Sequence, residues 1–197
     1  MIRVLTILLF STFFLAAATK PQGTQMTRSD SSFTLTLTFT TTLPKEKLME
    51  VLFTYDHTKN YVKSPSLSIS LLKEEPRVNL IKYHYNYIVS KMDMEIENRI
   101  SPDFNHFLFE QTSFKRTNKL IPEVISSGGK YDILKNENGK LEVRYTQWGK
   151  MDQKISSIFE KVIQMESVGF IKDLLKYVGT LESKTTVALK PSDQKIN

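Results

Sequence analysis

The chain has 197 residues, 40% of them hydrophobic and 24% charged, with seven glycines, seven prolines, no cysteine and a formal charge of +6. This is the composition of one globular domain and argues against a disordered, collagen-like or disulfide-stapled chain. Lack of a thiol excludes cysteine nucleophiles, thiolate metal sites, iron–sulfur clusters and lipid attachment through cysteine.

Residues 1–18 read as a secretory signal peptide: a basic start at Met1-Ile2-Arg3, a mostly apolar run from Val4 to Leu15, and the small residues Ala16-Ala17-Ala18. The apolar stretch from Val4 to Ala18 is shorter than the ~20 residues that span a bilayer, so cleavage is expected and the mature chain should begin near Thr19. With no cysteine and no Asn-x-Ser/Thr acceptor, the expected compartment is a bacterial periplasm, secretion being the alternative. Lysines and arginines are scattered, the tightest group being Lys115, Arg116 and Lys119, so no nucleic-acid partner is expected. A basic surface leaves transient contact with anionic lipid headgroups open. A monomer is expected.

Residues 19–32, rich in Thr, Ser and Gln and without an apolar period, read as a flexible leader. From Phe33 to Thr42 the chain alternates, with Phe33, Leu35, Leu37 and Phe39 on one face and Thr34, Thr36, Thr38 and Thr40 on the other, which predicts a half-buried strand. Pro44 suits the first turn of a short amphipathic helix carrying Leu48, Val51, Leu52 and Tyr55 at helical steps. His57 is placed at the close of this helix, and a further turn around Thr58 to Val62 should stop before Pro65.

Between Ser66 and Lys150, five or six strand-like runs predict an antiparallel meander. Ile81, Tyr83, Tyr85, Tyr87 and Val89 share one parity, then Met92, Met94, Ile96 and Ile100 share the other; the switch predicts a tight turn near Ser90-Lys91. Phe104 to Lys115 is a strand of undetermined facing, and runs at Val124–Leu134 and Leu141–Gly149 flank the hairpin signal Asn138-Gly139. Beyond Trp148-Gly149 the period becomes helical. Ile155, Ile158, Phe159, Val162, Ile163, Phe170, Leu174, Leu175, Val178 and Leu181 trace a broad stripe on a helix of about 30 residues. Asp152 is the expected N-cap, and a polar tail follows at 185–197.

This order of elements resembles the START-like, or Bet v 1-like, helix-grip superfamily (SRPBCC), which includes polyketide cyclases and lipid-transfer proteins. The resemblance covers about residues 33–183 and rests on element order, the early helix Leu43-Pro44-Lys45-Glu46-Lys47-Leu48-Met49-Glu50-Val51-Leu52, and Gly128-Gly129-Lys130-Tyr131 before the final hairpin and helix. It implies an α+β helix-grip domain over residues 33–184: a curved antiparallel sheet wrapped around a long C-terminal helix, a short helical segment after the first strand, and a cavity between sheet and helix.

The inner face of such a sheet would supply Tyr83, Tyr85, Tyr87, Met92, Met94, Ile96, Tyr131 and Tyr145, and the last helix would add Phe159, Val162, Phe170 and Leu174. Tyrosine carries a hydroxyl that seeks a partner when buried and methionine adapts to irregular shapes, so this lining suits an apolar or amphipathic guest. The same residues at strand spacing are equally consistent with plain core. Glu166 lies beside the helical stripe, where a partly buried carboxylate would be the weak catalytic candidate.

No Gly-x-Ser-x-Gly elbow, His-Glu-x-x-His helix, phosphate loop or dinucleotide fingerprint is present. Three dispersed histidines, His57, His84 and His106, do not suggest a metal site, and Asp93, Glu95 and Glu97 read as a solvated face balanced by Lys91 and Arg99. Neither cofactor nor metal is expected. Three readings follow: an exported carrier or sensor of a hydrophobic, lipid-like small molecule; a cyclase- or hydrolase-like enzyme using the same cavity; and a solid-cored interaction protein.

Overall fold

The computed structural model describes residues 21–87, 90–118 and 122–188, so the expected signal peptide lies outside the described residues, as does most of the polar tail. The elements run β1 (Gln22–Ser29), β2 (Ser32–Thr41), α1 (Lys45–Phe53), α2 (Tyr55–Tyr61), β3 (Leu67–Glu75), β4 (Val78–Tyr87), β5 (Ser90–Ile100), β6 (His106–Arg116), β7 (Val124–Glu137), β8 (Lys140–Met151) and α3 (Ser157–Ala188). All eight strands form one curved antiparallel sheet in the order β1-β2-β8-β7-β6-β5-β4-β3. This is the helix-grip α+β architecture, with α1 and α2 following the second strand. No described helix is long and apolar enough to cross a membrane.

The alternating pattern decides the sheet's inner face. Phe33, Leu35, Leu37 and Phe39 of β2 are buried, as are Leu141, Val143 and Tyr145 of the neighbouring β8. Ile81, Tyr83 and Tyr85 of β4 stand directly opposite Ile96, Met94 and Met92 of β5, so the two parity sets merge into one surface. Tyr87 pairs with Ser90, so the chain reverses between these residues, ahead of the expected Ser90-Lys91. Glu137 pairs with Lys140 across Asn138-Gly139, whose φ angles of 53° and 70° are the two positive values a two-residue hairpin demands.

Two expectations are corrected by long-range contacts. Residues 22–29, expected within the flexible leader, form β1 against β2. The β1–β2 turn is clamped onto the approach to α3: Ile155 N–H donates to the Asp30 carbonyl at 2.8 Å, and Arg28 Nη1 reaches the Ile155 carbonyl at 3.0 Å and Glu160 at 3.1 Å. A polar segment thus becomes a strand because a neighbouring edge satisfies its backbone groups. Asp152 does not cap α3. Its carboxylate accepts from Glu123 N–H at 2.9 Å and pairs with Arg116 at 3.1 Å, while the Ser156 hydroxyl accepts from Phe159 N–H at 3.2 Å at the true helix start. Ser156→Ala is expected to lower stability by about 1 kcal/mol, read as a shifted urea midpoint at constant m-value.

α3 grips the sheet mainly through its second half, where Ile171, Leu174 and Val178 share a buried cluster with Leu35, Leu37, Phe39, Val143 and Tyr145. Glu182 fixes that end, its carboxylate accepting from the Thr41 hydroxyl at 2.7 Å and from Thr42 N–H at 2.6 Å. Burial alone would raise the Glu182 pKa, but these donors hold it below the ordinary carboxylate value. On the opposite flank, buried Asn98 donates to the Asn79 side chain at 2.7 Å, and Asn79 in turn donates to the carbonyl of Phe53, the last residue of α1. This relay ties the helical pair to β4 and β5.

Candidate functional site

Between the first half of α3, the α1–α2 pair and the inner face of the sheet lies a cavity of about 430 Å³ that opens to solvent. It falls in the lower half of the ~300–1,000 Å³ range of small-molecule sites. The floor of the cavity facing the first half of α3 is a set of mutually packed rings. Phe109 stacks on Tyr145 with centroids 6.1 Å apart, Tyr145 lies 4.9 Å from Tyr131, and Tyr131 meets Phe107 edge-on at 5.8 Å.

Sequence-predicted residues divide between lining and core. From the sheet, Tyr83, Tyr85, Met94, Ile96, Tyr131 and Tyr145 line the cavity. From α3, Phe159, Val162, Glu166 and Phe170 do so. Leu174 does not line it, because it lies in the packed half of the helix and is fully buried in the main core. Met92 shares the inner face with Tyr85 but sits beyond the lining, and the Tyr87 side chain lies outside the described residues. Glu166 is exposed at the cavity's edge.

Other lining residues escaped the sequence reading. Leu52, Thr58 and Tyr61 reach the cavity from α1 and α2, and nothing in helical periodicity announces that those helices close its side. Tyr61 packs edge-on against Phe170 at 5.6 Å, which joins this wall to α3. Phe107 and Phe109 come from the strand whose facing was undetermined; a register shift between Glu95 and Ile96 in the β5–β6 ladder accompanies its mixed parity. Gln147 continues the inner parity Leu141, Val143, Tyr145, a signal the sequence did contain. Its Oε1 accepts from the Tyr145 hydroxyl at 3.0 Å and from the Ser167 hydroxyl of α3 at 2.6 Å.

The electrostatics of the lining are plain. Among the described residues, Glu166 is its one carboxylate, and it contains no Lys, Arg or His. Burial drives the Tyr61 hydroxyl up to about 12, and raises Tyr83, Tyr131 and Tyr145 above the ordinary phenol value as well. Tyr83 is half-open to the cavity yet surrounded by protein, which reconciles its exposure with that shift.

The histidines are engaged separately. His57, which lies within α2 and does not end α1, bonds Tyr177 at 2.6 Å and approaches Glu50 at 3.4 Å; His84 pairs with Asp93, and His106 with Asp132 at 2.8 Å. Asp93 is balanced across the β4–β5 ladder by Lys82 and His84, not by Lys91 as expected, while Glu97 does pair with Arg99. Among the described residues no group of three His, Cys, Asp or Glu is placed to hold a metal.

This architecture is that of the START-like helix-grip fold. Similar solved structures include the Zhui aromatase/cyclase of Streptomyces sp. R1128, at 13% identity and TM-score 0.57 over 80% of this chain and 98% of that one. A START superfamily protein of Mycobacterium smegmatis matches at 9% identity and 0.56, over 75% and 98% of the two chains. A fragment of a STAR-related lipid transfer protein from Xanthomonas axonopodis matches at 10% identity and 0.56, over 79% and 98%. At such identities the likeness establishes the fold. No protein-family model matches the chain, and no curated protein matches it in sequence.

Proposed function

We propose that the protein is an exported, non-catalytic carrier or sensor that holds one compact hydrophobic or amphipathic molecule between the sheet and the first half of α3. The observation that carries this reading is the open, largely apolar cavity of about 430 Å³ in a fold it shares with a START superfamily protein and a lipid transfer protein. Burying some 200 Å² of apolar ligand surface there supplies about 5 kcal/mol before ordering costs. The cyclase-like alternative has the support of the aromatase/cyclase neighbour, but its acid–base chemistry would rest on Glu166, exposed at the edge. A solid-cored interaction protein does not account for the space.

The test is uptake of N-phenyl-1-naphthylamine, a neutral apolar fluorophore, by wild type and by Val162→Phe. Val162 is half-buried and lines the cavity from α3, so the larger ring should narrow it. The expected result is at least a tenfold loss of dye affinity with a melting temperature within a few degrees of wild type. Equal uptake by both proteins, or none by either, sinks the reading. Export is tested separately by the mass of the chain recovered from the periplasm, which should begin near Thr19.

A further inference from the structure

Among the described residues, two hydroxyls at the cavity have no hydrogen-bond partner. Neither Tyr83 nor Tyr131 forms a side-chain hydrogen bond among them, although both line the cavity and Tyr131 is only 2% exposed. Nor are these oxygens sealed into apolar packing: the one enclosed side-chain polar atom without a partner is Nη1 of Arg116, which is not in the lining. Because the cavity opens to solvent, water can meet these hydroxyls, and a ligand group that accepts from them takes that water's place.

The surroundings define that group. Burial holds both phenols in their neutral form, so each remains a donor across the physiological range. Beside them, Gln147 has its Oε1 taken by the hydroxyls of Tyr145 and Ser167, which leaves its amide N–H groups as further donors. Among the described residues, the polar part of the wall is therefore rich in donors and free of cations. A carboxylate or phosphate brought there would find no Lys, Arg or His among the described lining residues to offset its desolvation. An uncharged acceptor such as a carbonyl suffers no such penalty.

We infer that the ligand is a compact neutral amphiphile bearing a ketone-, quinone- or ester-type carbonyl, which is seated on the hydroxyls of Tyr83 and Tyr131 with its apolar body against Phe109, Phe159 and Val162. The inference rests on the carrier reading and narrows it. It assigns to the two tyrosines the choice of ligand polarity, and to the ring floor and α3 the bulk of the affinity.

Three probes of one ring size separate the two levels: 2-methylnaphthalene, 2-acetylnaphthalene and 2-naphthoate, measured by equilibrium dialysis with the wild-type chain, with Tyr83→Phe and with Tyr131→Phe. The expected result is that 2-methylnaphthalene binds, that the acetyl compound binds about three- to tenfold more tightly, and that the carboxylate binds more weakly than either. Each Tyr→Phe change should lower affinity for the acetyl compound about three- to tenfold and leave the methyl compound unchanged. If all three bind alike, the carrier reading stands and the inference falls. If 2-naphthoate binds best, the inference is overturned in favour of an anionic ligand. If 2-methylnaphthalene and the others all fail to bind, both are overturned. The wild-type comparison decides the matter even where a variant folds poorly.

Discussion

Raising the pH from 9 to beyond about 12 is expected to unfold the protein in a single transition in which Tyr61, Tyr83, Tyr131 and Tyr145 ionise together. All four are held in the neutral form by burial at the cavity. Their folded pKa values lie above the unfolded value near 10, so their contribution is fully present below pH 10 and is lost as pH rises through the folded values. Tyr61, pushed up to about 12, accounts for a loss of about 3 kcal/mol across two pH units. The other three tyrosines, shifted in the same direction, add to that decline, against a usual total stability of about 5–15 kcal/mol. Phenolate absorbance near 295 nm and circular dichroism should change together. Ionisation of these four hydroxyls around pH 10 with the dichroism intact would refute this account of the four tyrosines.

Gly129→Ala should be the most damaging conservative substitution, costing about 3 kcal/mol, the upper end of the usual overpacking penalty, and lowering the melting temperature by about 6–12 °C. A Cβ at this position would meet Cζ of Phe109 at 2.2 Å and the backbone oxygen of Thr146 at 2.5 Å. Neither neighbour can yield cheaply. The carbonyl belongs to β8, paired residue by residue with β7, and the Phe109 ring is stacked on Tyr145 and packed against Tyr131. The ring's route of escape is the cavity it lines, so dye affinity should fall with stability. Adding Phe109→Leu to Gly129→Ala should restore part of the melting temperature. Gly179→Ala is the control of opposite sign: with nothing within 4 Å of its added methyl on α3, it should stabilise by about 0.5–1 kcal/mol. Equal effects of the two substitutions would refute the close-packing account of Gly129.

The Gly128-Gly129 pair shows how far the sequence could be read. It marked a resemblance to helix-grip proteins, and its physical reason, a strand backbone approached closely by a ring, is invisible until Phe109 is placed opposite it. The same holds for the tyrosines. Their parity put Tyr83 and Tyr85 on one face of β4, and Tyr131 and Tyr145 on faces of β7 and β8, but only the fold shows that, among the described residues, the hydroxyls of Tyr83 and Tyr131 lack partners while that of Tyr145 is spent on Gln147. Asn79 and Asn98 are a further instance. On inner parities they look like interruptions of an apolar pattern, yet they are buried because each finds a bond, ending at the Phe53 carbonyl.

Periodicity is a local property, so the sequence by itself determined the strands from Phe33 onward, the short helix after Pro44, the Asn138-Gly139 hairpin and the long apolar C-terminal helix. It also sorted the side chains of the alternating strands into two faces, β6 excepted, because a strand of fixed period leaves each residue one side or the other. What it could not determine depends on distance between elements: that 22–29 is a strand, that Leu174 is core while Phe170 lines a cavity, that Glu166 is exposed, and that α1 and α2 form a wall. These are decided by where α3 is pinned against the sheet, at Glu182 and Thr41 at one end and at Ile155 and Asp30 at the other. Bonds that join residues more than a hundred positions apart leave no period in the chain.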